Sequence, residues 1–330
     1  MFENIFIKIV EQTIQYGLVK GETFFTDSTH KKANANKNKY HGEIVKKVKK
    51  RREWLEKEIN EERVKQGKKE FEYVDEVEEK EIKVSETDEE SGYYHRDNKE
   101  KGFMYLDHRT VDSKCNIIVD CYITKGNVHD SVPYISRLEY IKRKFGFDIK
   151  EVGIDSGYDT LDIKKYLHDN KIYGVIAYRR YARAKTTVRK SRFKYIKESD
   201  CYIYPETGAI LEYTGRIDRN GYKYYASKEN CNNCPEKKGC CNKKEYRTIT
   251  RHICEDLNEE MKERRLSERG KELYKQRKEK IERSFADSKQ NHGYRYAMYK
   301  GIEKNQNYTW LICAAQNMKN IAQKLTKVWG

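Results

Sequence analysis

The chain has 330 residues, with 69 Lys and Arg against 53 Asp and Glu, a formal charge of +16. That length suits one large domain with an insertion or two small ones, and so basic a chain suits a polyanionic partner such as nucleic acid. No apolar run approaches the ~20 residues of a membrane span, and MFENIFIKIV lacks the basic leader and cleavage site of a signal peptide, so the sequence reads as cytoplasmic, with no membrane partner and with nine cysteines that suggest thiols or a metal site before disulfides.

Residues 2–20 place Phe2, Ile5, Phe6, Ile9, Val10, Ile14 and Leu18 at helical spacing, and Gly21 ends the pattern. Phe24–Asp27 reads as a short strand with an acid at its mouth, followed at once by Lys31, Lys32, Lys37 and Lys39. From Lys31 to about Lys101 charged residues dominate. An imperfect stripe of Val45, Val48, Trp54, Leu55 and Ile59 predicts a long, solvated helix, and VDEVEEKEIKVSETDEESG predicts a flexible acidic segment. FMYLDHRTVD and NIIVDCYIT flank a short turn and read as a hairpin. Residues 131–145 look helical, KEVGIDSGYDT is a strand ending at Asp155, 160–170 is helical and IYGVIAY is a strand. This order predicts an α/β fold with mixed strand direction. Residues 180–250, rich in Tyr, Arg, Lys and Cys, break the rhythm as an insertion. A charged helical pattern covers 255–290. A last helix, about 305–325, puts Tyr308, Leu311, Ala315, Met318, Ala322 and Leu325 on a core face.

Asp27 and Asp155 end predicted strands, and Glu282 lies on the helix YKQRKEKIERSFADSK. Read singly, they are a strand-end acid, a turn acid and a solvated helix acid. Brought to one sheet edge, three carboxylates suit two Mg²⁺ ions, which keep positions open for water and phosphate oxygens and support in-line displacement at phosphorus. Such chemistry is positioning and electrostatics, with no nucleophilic side chain.

TDSTHKKANANKNK, YLDHRTVD, TKGNVHDS, GIDSGYDT and IERSFADSKQNHGYRYAMYKG, in that order, resemble the blocks of bacterial insertion-sequence transposases with a ribonuclease-H-like DDE domain, in the group with a Tyr–Arg–Glu–Lys signature. The resemblance runs from about residue 10 to the C-terminus. It implies a ribonuclease-H-like mixed sheet with flanking helices, interrupted by a charged helical segment and a Cys-containing insertion. It also implies that Asp27, Asp155 and Glu282 are the catalytic acids and hold Mg²⁺ or Mn²⁺, and that Tyr274, Arg277 and Lys289 match the rest of the signature. The spacing departs from the family: Arg277 stands five residues before Glu282 instead of four, and Lys278 stands at four. Either a local bulge restores Arg277, or Lys278 takes its phosphate contact.

The implied activity is metal-dependent cleavage of double-stranded DNA at element ends and strand transfer into a target, by a homodimer on DNA. The implied organisation is a remnant helix over 1–20, a first part of the catalytic core over 21–178 with a charged insertion at about 40–100, a basic and Cys-rich insertion over 179–254, and C-terminal helices over 255–330 that complete the core. Family members carry an N-terminal DNA-recognition domain, whereas 26 residues precede Asp27. The chain therefore reads as a remnant lacking that domain, and inactive if so truncated. Two rivals stand beside this reading: a non-catalytic basic nucleic-acid-binding protein, and another nuclease on the same fold.

His108 and Arg109 are candidates for DNA contact, against ordinary turn chemistry, which is the preferred reading for Asn127 and Asp130. CNNCPEKKGCC gives Cys231, Cys234, Cys240 and Cys241, with Cys201 upstream, as candidate ligands of a structural Zn²⁺, against reduced thiols in a loop. In the resembled family a Cys often stands at the position of Tyr204. Cys115, Cys121, Cys254 and Cys313 read as small buried residues. The basic runs 179–197 and 46–52 suit phosphate contacts, against solvated loops.

Overall fold

The computed structural model describes residues 1–95, 100–178, 188–241 and 244–329; the first nine residues of the basic run 179–197 lie outside them. In chain order come helix α1 (Phe2–Gln15), strands β1 (Thr23–Lys32) and β2 (Tyr40–Val48), helix α2 (Glu53–Lys65), and strands β3 (Val77–Ser85), β4 (Gly92–Tyr94), β5 (Gly102–Asp112) and β6 (Ile118–Lys125). Helix α3 (Ser131–Phe145), β7 (Glu151–Ile154), α4 (Leu161–Asp169) and β8 (Tyr173–Ile176) follow. Then come β9 (Lys194–Ile196), β10 (Cys201–Tyr204), β11 (Ala209–Ile217), β12 (Tyr222–Ala226), α5 (Lys228–Asn232), α6 (Lys237–Cys241) and β13 (Thr248–His252). The chain closes with α7 (Glu255–Leu266), α8 (Glu268–Arg277), a π-helical turn (Lys278–Glu282), α9 (Arg283–Asn291) and α10 (Ile302–Trp329). Among the described residues no helix is long and apolar enough to cross a membrane.

Two units divide the chain. The first gathers Met1–Lys46, Glu79–Arg179 and Glu259–Gly330, and the second Lys47–Glu78 and Arg180–Asn258. In the first, β1 lies between β5, antiparallel to it, and β7, parallel to it. Strand β8 extends the parallel side, and β6 and β4 pair with the far edge of β5. The order β6-β5-β1-β7-β8, with β5 alone running against the other four, is a ribonuclease-H-like mixed sheet. Its core packs Phe24, Phe25, Ile154 and Val175 of the sheet against Val10, Leu138, Leu167 and Phe285 of the helices. Strand β1 is longer than Phe24–Asp27. It runs ten residues because β5 pairs with it as far as Lys32, so Asp27 is mid-strand on one side and just beyond the paired stretch of β7 on the other.

Helix α10 seats differently from its hydrophobic spacing. Leu311 and Met318 are exposed, at 37% and 56%, while Asn305, Gln306, Thr309, Gln316 and Asn317 are buried. The cause is the unpaired edge of β6. Asn317 accepts from the Ile118 N–H at 2.8 Å and donates to its carbonyl at 2.7 Å. Gln306 accepts from the Ile123 N–H at 2.7 Å and donates to the Cys121 carbonyl at 3.1 Å. A buried backbone group must be hydrogen-bonded, and these amides do for β6 what a further strand would do. Cys121 and Cys313 are buried here, as their apolar character suggests.

The second unit holds an antiparallel sheet in the order β13-β12-β11-β10-β9. Its inner face carries Tyr202, Tyr204, Leu211, Tyr225 and Ile249. The helix expected across the charged stretch is only Glu53–Lys65, and the acidic segment expected to be flexible contains β3, paired with β2 in a two-stranded ribbon. Charges pair from the β2 side to the β3 side, Lys46 with Glu79 at 3.7 Å and Lys49 with Glu76 at 2.9 Å. Ile82 and Val84 alternate with charged residues on β3, a period-2 pattern hidden by the high charge.

Replacing Asn317 by Leu leaves the Ile118 N–H and carbonyl without partners. We expect a loss of roughly 2–6 kcal/mol, about 1–3 for each orphaned group, read as a lower urea midpoint at unchanged slope.

Candidate active site

The register of β1 and β7 pairs Thr26 with Ile154, so Asp27 and Asp155, each one residue further on, leave neighbouring parallel strands at the same end. Asp155 is close enough for its charge to act on Asp27. The π-turn that ends at Glu282 begins directly after Arg277. The Tyr274 phenol is pushed up from its ordinary value, first by burial and then by the charges of Asp155, Asp27 and Glu282, against the pull of Arg277. The charges of all three acids thus reach the Tyr274 phenol.

Arg277 and Glu282 stand at the two ends of the π-turn. Hydrogen bonds from i to i+5 take one more residue per turn than an α-helix, so the residue one turn before Glu282 is Arg277. Its guanidinium reaches Asp27, with Nη2 2.7 Å from Oδ2. Gly153 on β7 leaves room for the Phe25 ring, from which a Cβ there would lie 2.9 Å. Lys278 is exposed, with Nζ 5.5 Å from the Tyr274 ring centroid. Asp27 is pushed up to about 6, first by burial, with Arg277 and the Ser28 N–H acting against it and Asp155 and Asp130 reinforcing it. Lys289 Nζ donates to Thr29 Oγ1 at 2.5 Å. Beside Ser28 and Thr29 opens a cleft of about 470 Å³, lined by His30, Lys32, Lys289 and Arg295 with the rings of Tyr94 and Tyr296.

The carboxylates are hard oxygen donors of the kind Mg²⁺ and Mn²⁺ prefer. Among the described residues no three or more His, Cys, Asp or Glu side chains close into a metal-holding group. At Asp27, Arg277 stands against one oxygen and the Ser28 N–H donates to the other at 2.9 Å.

His108 and Arg109 do not face solvent as DNA contacts would. Both are buried. Arg109 donates to Asp107 Oδ2 at 2.7 Å and to Ser284 Oγ and Ser288 Oγ, both at 2.9 Å, and lies 3.2 Å from the Ser284 carbonyl and from Gln316 Oε1. It ties β5 to the helix that follows Glu282. His108 Nε2 shares a hydrogen bond with Thr124 Oγ1 at 2.9 Å, and burial pushes its imidazole down to about 4. Asp130 does not take the turn and cap role preferred for it from sequence. It stands where an N-cap should, but caps nothing, and instead accepts from Ser28 Oγ at 2.6 Å, next to Asp27. Only the approach of α3 to β1 brings them together, and no local pattern signals that.

In the second unit Cys231, Cys240 and Cys241 share the buried core. Burial, reinforced by Cys231 and Cys240, pushes the Cys241 thiol up to about 11. Cys234 is partly buried, 3.8 Å from Thr207 Oγ1, and its charge acts on Cys240. Cys201 is not brought to them. Tyr202 and Tyr204 of β10 face the shared core, and alternation along a strand turns Cys201 to the other face. Tyr204 itself donates to Glu206 at 2.6 Å and Glu236 at 2.8 Å.

A mixed sheet of this order, with acids leaving β1 and β7 side by side, belongs to the ribonuclease-H-like class. Residues 208–322, about a third of the chain, match the family described as "Transposase DDE domain". The matched segment includes Arg277, Glu282 and Lys289; Asp27 and Asp155 precede it, so their place in the site rests on strand register. No curated protein matches the chain.

Arg109→Met strands Asp107 without its cation. We expect it to cost about 3–5 kcal/mol while leaving the salt dependence of DNA binding unchanged in whatever protein remains folded, as titrations at two ionic strengths would read. For His108, the folded pKa lies below the unfolded value near 6.5, so its contribution to stability is present above that pH and is lost as pH falls towards 4. His108→Gln should flatten the acid limb of a urea-stability profile between pH 6.5 and 4, by up to about 1.4 kcal/mol per pH unit.

Proposed function

We propose that this chain is the transposase of a bacterial insertion sequence, cutting phosphodiesters at the element's ends and joining the freed 3′-hydroxyl to target DNA, with double-stranded DNA as substrate, in the cytoplasm and as a homodimer. The observation that carries the proposal is the shared exit of Asp27 and Asp155 from neighbouring parallel strands, with Arg277 against Asp27. The transposase domain match supports it from the other end of the chain.

In this reading Asp27, Asp155 and Glu282 would hold Mg²⁺ or Mn²⁺. When bound, the cations would supply electrophilic stabilisation to the phosphate and its leaving oxygen. Arg277 and Lys289 would grip phosphates beside the cut, Arg277 by its planar fork and Lys289 as a point charge. Tyr274 and the exposed Lys278 would border that grip. The cleft with Lys32, Lys289 and Arg295 would take the continuing backbone by charge, and Tyr94 and Tyr296 would offer ring faces to it. Asp130 would hold Ser28, and through it the stretch of β1 beside Asp27. In the second unit, Cys231, Cys234, Cys240 and Cys241 would hold a structural Zn²⁺, with thiols surrendering their protons to it.

The test is an oligonucleotide duplex bearing the end of the element that encodes the chain. We expect cleavage and strand-transfer products with Mg²⁺ and none with EDTA. Asp27→Asn, Asp155→Asn and Glu282→Gln should each lower cleavage about 10²-fold or more while DNA binding persists. Cleavage indifferent to EDTA or to Asp27→Asn would overturn the reading in favour of a non-catalytic binder in contaminated preparations; cleavage without strand transfer would point to another nuclease on this fold. For zinc, purified protein should carry about one equivalent, falling when Cys231 and Cys234 are changed to Ser. Less than about half an equivalent would count against the site.

A further inference from the structure

We propose that Arg277 and a divalent cation compete for the Asp27 carboxylate, so that cation loading waits until a phosphate draws Arg277 away. This rests on the reading of Asp27 as a metal-holding acid. The guanidinium is 4% exposed and the carboxylate 22%, with 2.7 Å between them. A cation that close, largely out of water, meets the same electrostatic need in the acid that a metal ion meets. The other Asp27 oxygen accepts the Ser28 N–H, so an incoming ion finds neither oxygen idle.

Arg277 cannot step aside by losing its proton, because a guanidinium stays charged in proteins. It has to move, since two cations on one oxygen repel. Its attachment allows movement. Among the described residues Arg277 Nε has no hydrogen-bond partner. The Tyr274 ring, with its centroid 5.6 Å from the guanidinium carbon, offers a face along which the group can slide. The backbone immediately after Arg277 is the π-turn, a form concentrated where helices do functional work. A phosphate offers the fork two oxygens in a matching plane. Phosphate and cation then assist each other: each favours the state in which Arg277 has left Asp27, and by linkage the effect is reciprocal.

The test measures binding of Mn²⁺ alone to the full chain, by the paramagnetic resonance signal of free Mn²⁺, with folding checked by circular dichroism. Arg277→Gln should bind Mn²⁺ about tenfold more tightly than wild type. Arg277→Lys, which keeps a positive charge, should stay near wild type. Arg277→Met, which keeps the stem packing, should follow Gln and serves if the Gln variant does not fold. Asp27→Asn, alone or with Arg277→Gln, should remove the tight binding. If Arg277→Gln and Arg277→Met bind no more tightly than wild type while Asp27→Asn weakens binding, competition is overturned and the acid reading stands. If Asp27→Asn changes Mn²⁺ binding in neither background, the acid reading itself fails and the competition fails with it.

Discussion

A fully buried guanidinium, that of Arg109, holds the two halves of the candidate site in register. It sits on β5 opposite Asp27 of β1 and reaches Ser284 and Ser288 on the helix just past Glu282. The strand with the first acid and the helix with the third are therefore fixed through one side chain. Burying a charge is costly unless it is paired and hydrogen-bonded; Asp107 supplies the countercharge at 2.7 Å, and the two serines and Gln316 supply acceptors. Lys31 lies in the same interior. Its ammonium is 4.4 Å from the centre of the Tyr294 ring and 4.9 Å from that of Tyr308, and burial draws it down to about 8. A core of this kind sets geometry more than it adds stability, because polar groups with fixed partners accept few alternative packings.

The same principle governs α10. A helix that covered β6 with leucines would leave the edge of that strand unsatisfied. Its buried face carries amides, and the two that bond β6 backbone, Gln306 and Asn317, stand eleven residues apart, close to three helical turns. The apolar residues that spacing would send to the core, Leu311 and Met318, face solvent. The hydrophobic contribution at this surface comes from Ile312, Cys313 and Ala314.

Much of this was legible in the residues. The helices over 131–145 and 161–169, the β5–β6 hairpin and the strand before Asp155 follow from periodicity and turn chemistry, because their apolar faces meet one continuous core. Asp27 and Asp155 could be singled out as acids at strand ends, whereas Glu282, one helix acid among many, stood out only through the family resemblance. What stayed hidden depends on contacts distant in sequence. Arg109 and His108 look like surface charges in HRTVD, since nothing local announces that Ser284, Ser288 and Thr124 will satisfy them. Asp130 looks like a cap because Asp before a helix usually is one. The β2–β3 ribbon is masked by charge, which reads as solvated helix until cross-strand pairs exist. Cys201 seemed to belong with the other thiols because spacing along a chain says nothing about which face of a strand a residue takes.

The π-turn carries a lesson for pattern searches. An insertion in a helix ordinarily rotates everything beyond it by about 100°, and would carry Glu282 away from the sheet. Here the turn from Arg277 to Glu282 is a π-turn, whose hydrogen bonds run from i to i+5 and so count five residues where an α-helical turn counts four. A pattern that insists on a fixed interval of four would pair the acid with Lys278 instead. An interval counted in helical turns, with one residue of tolerance, would keep Arg277.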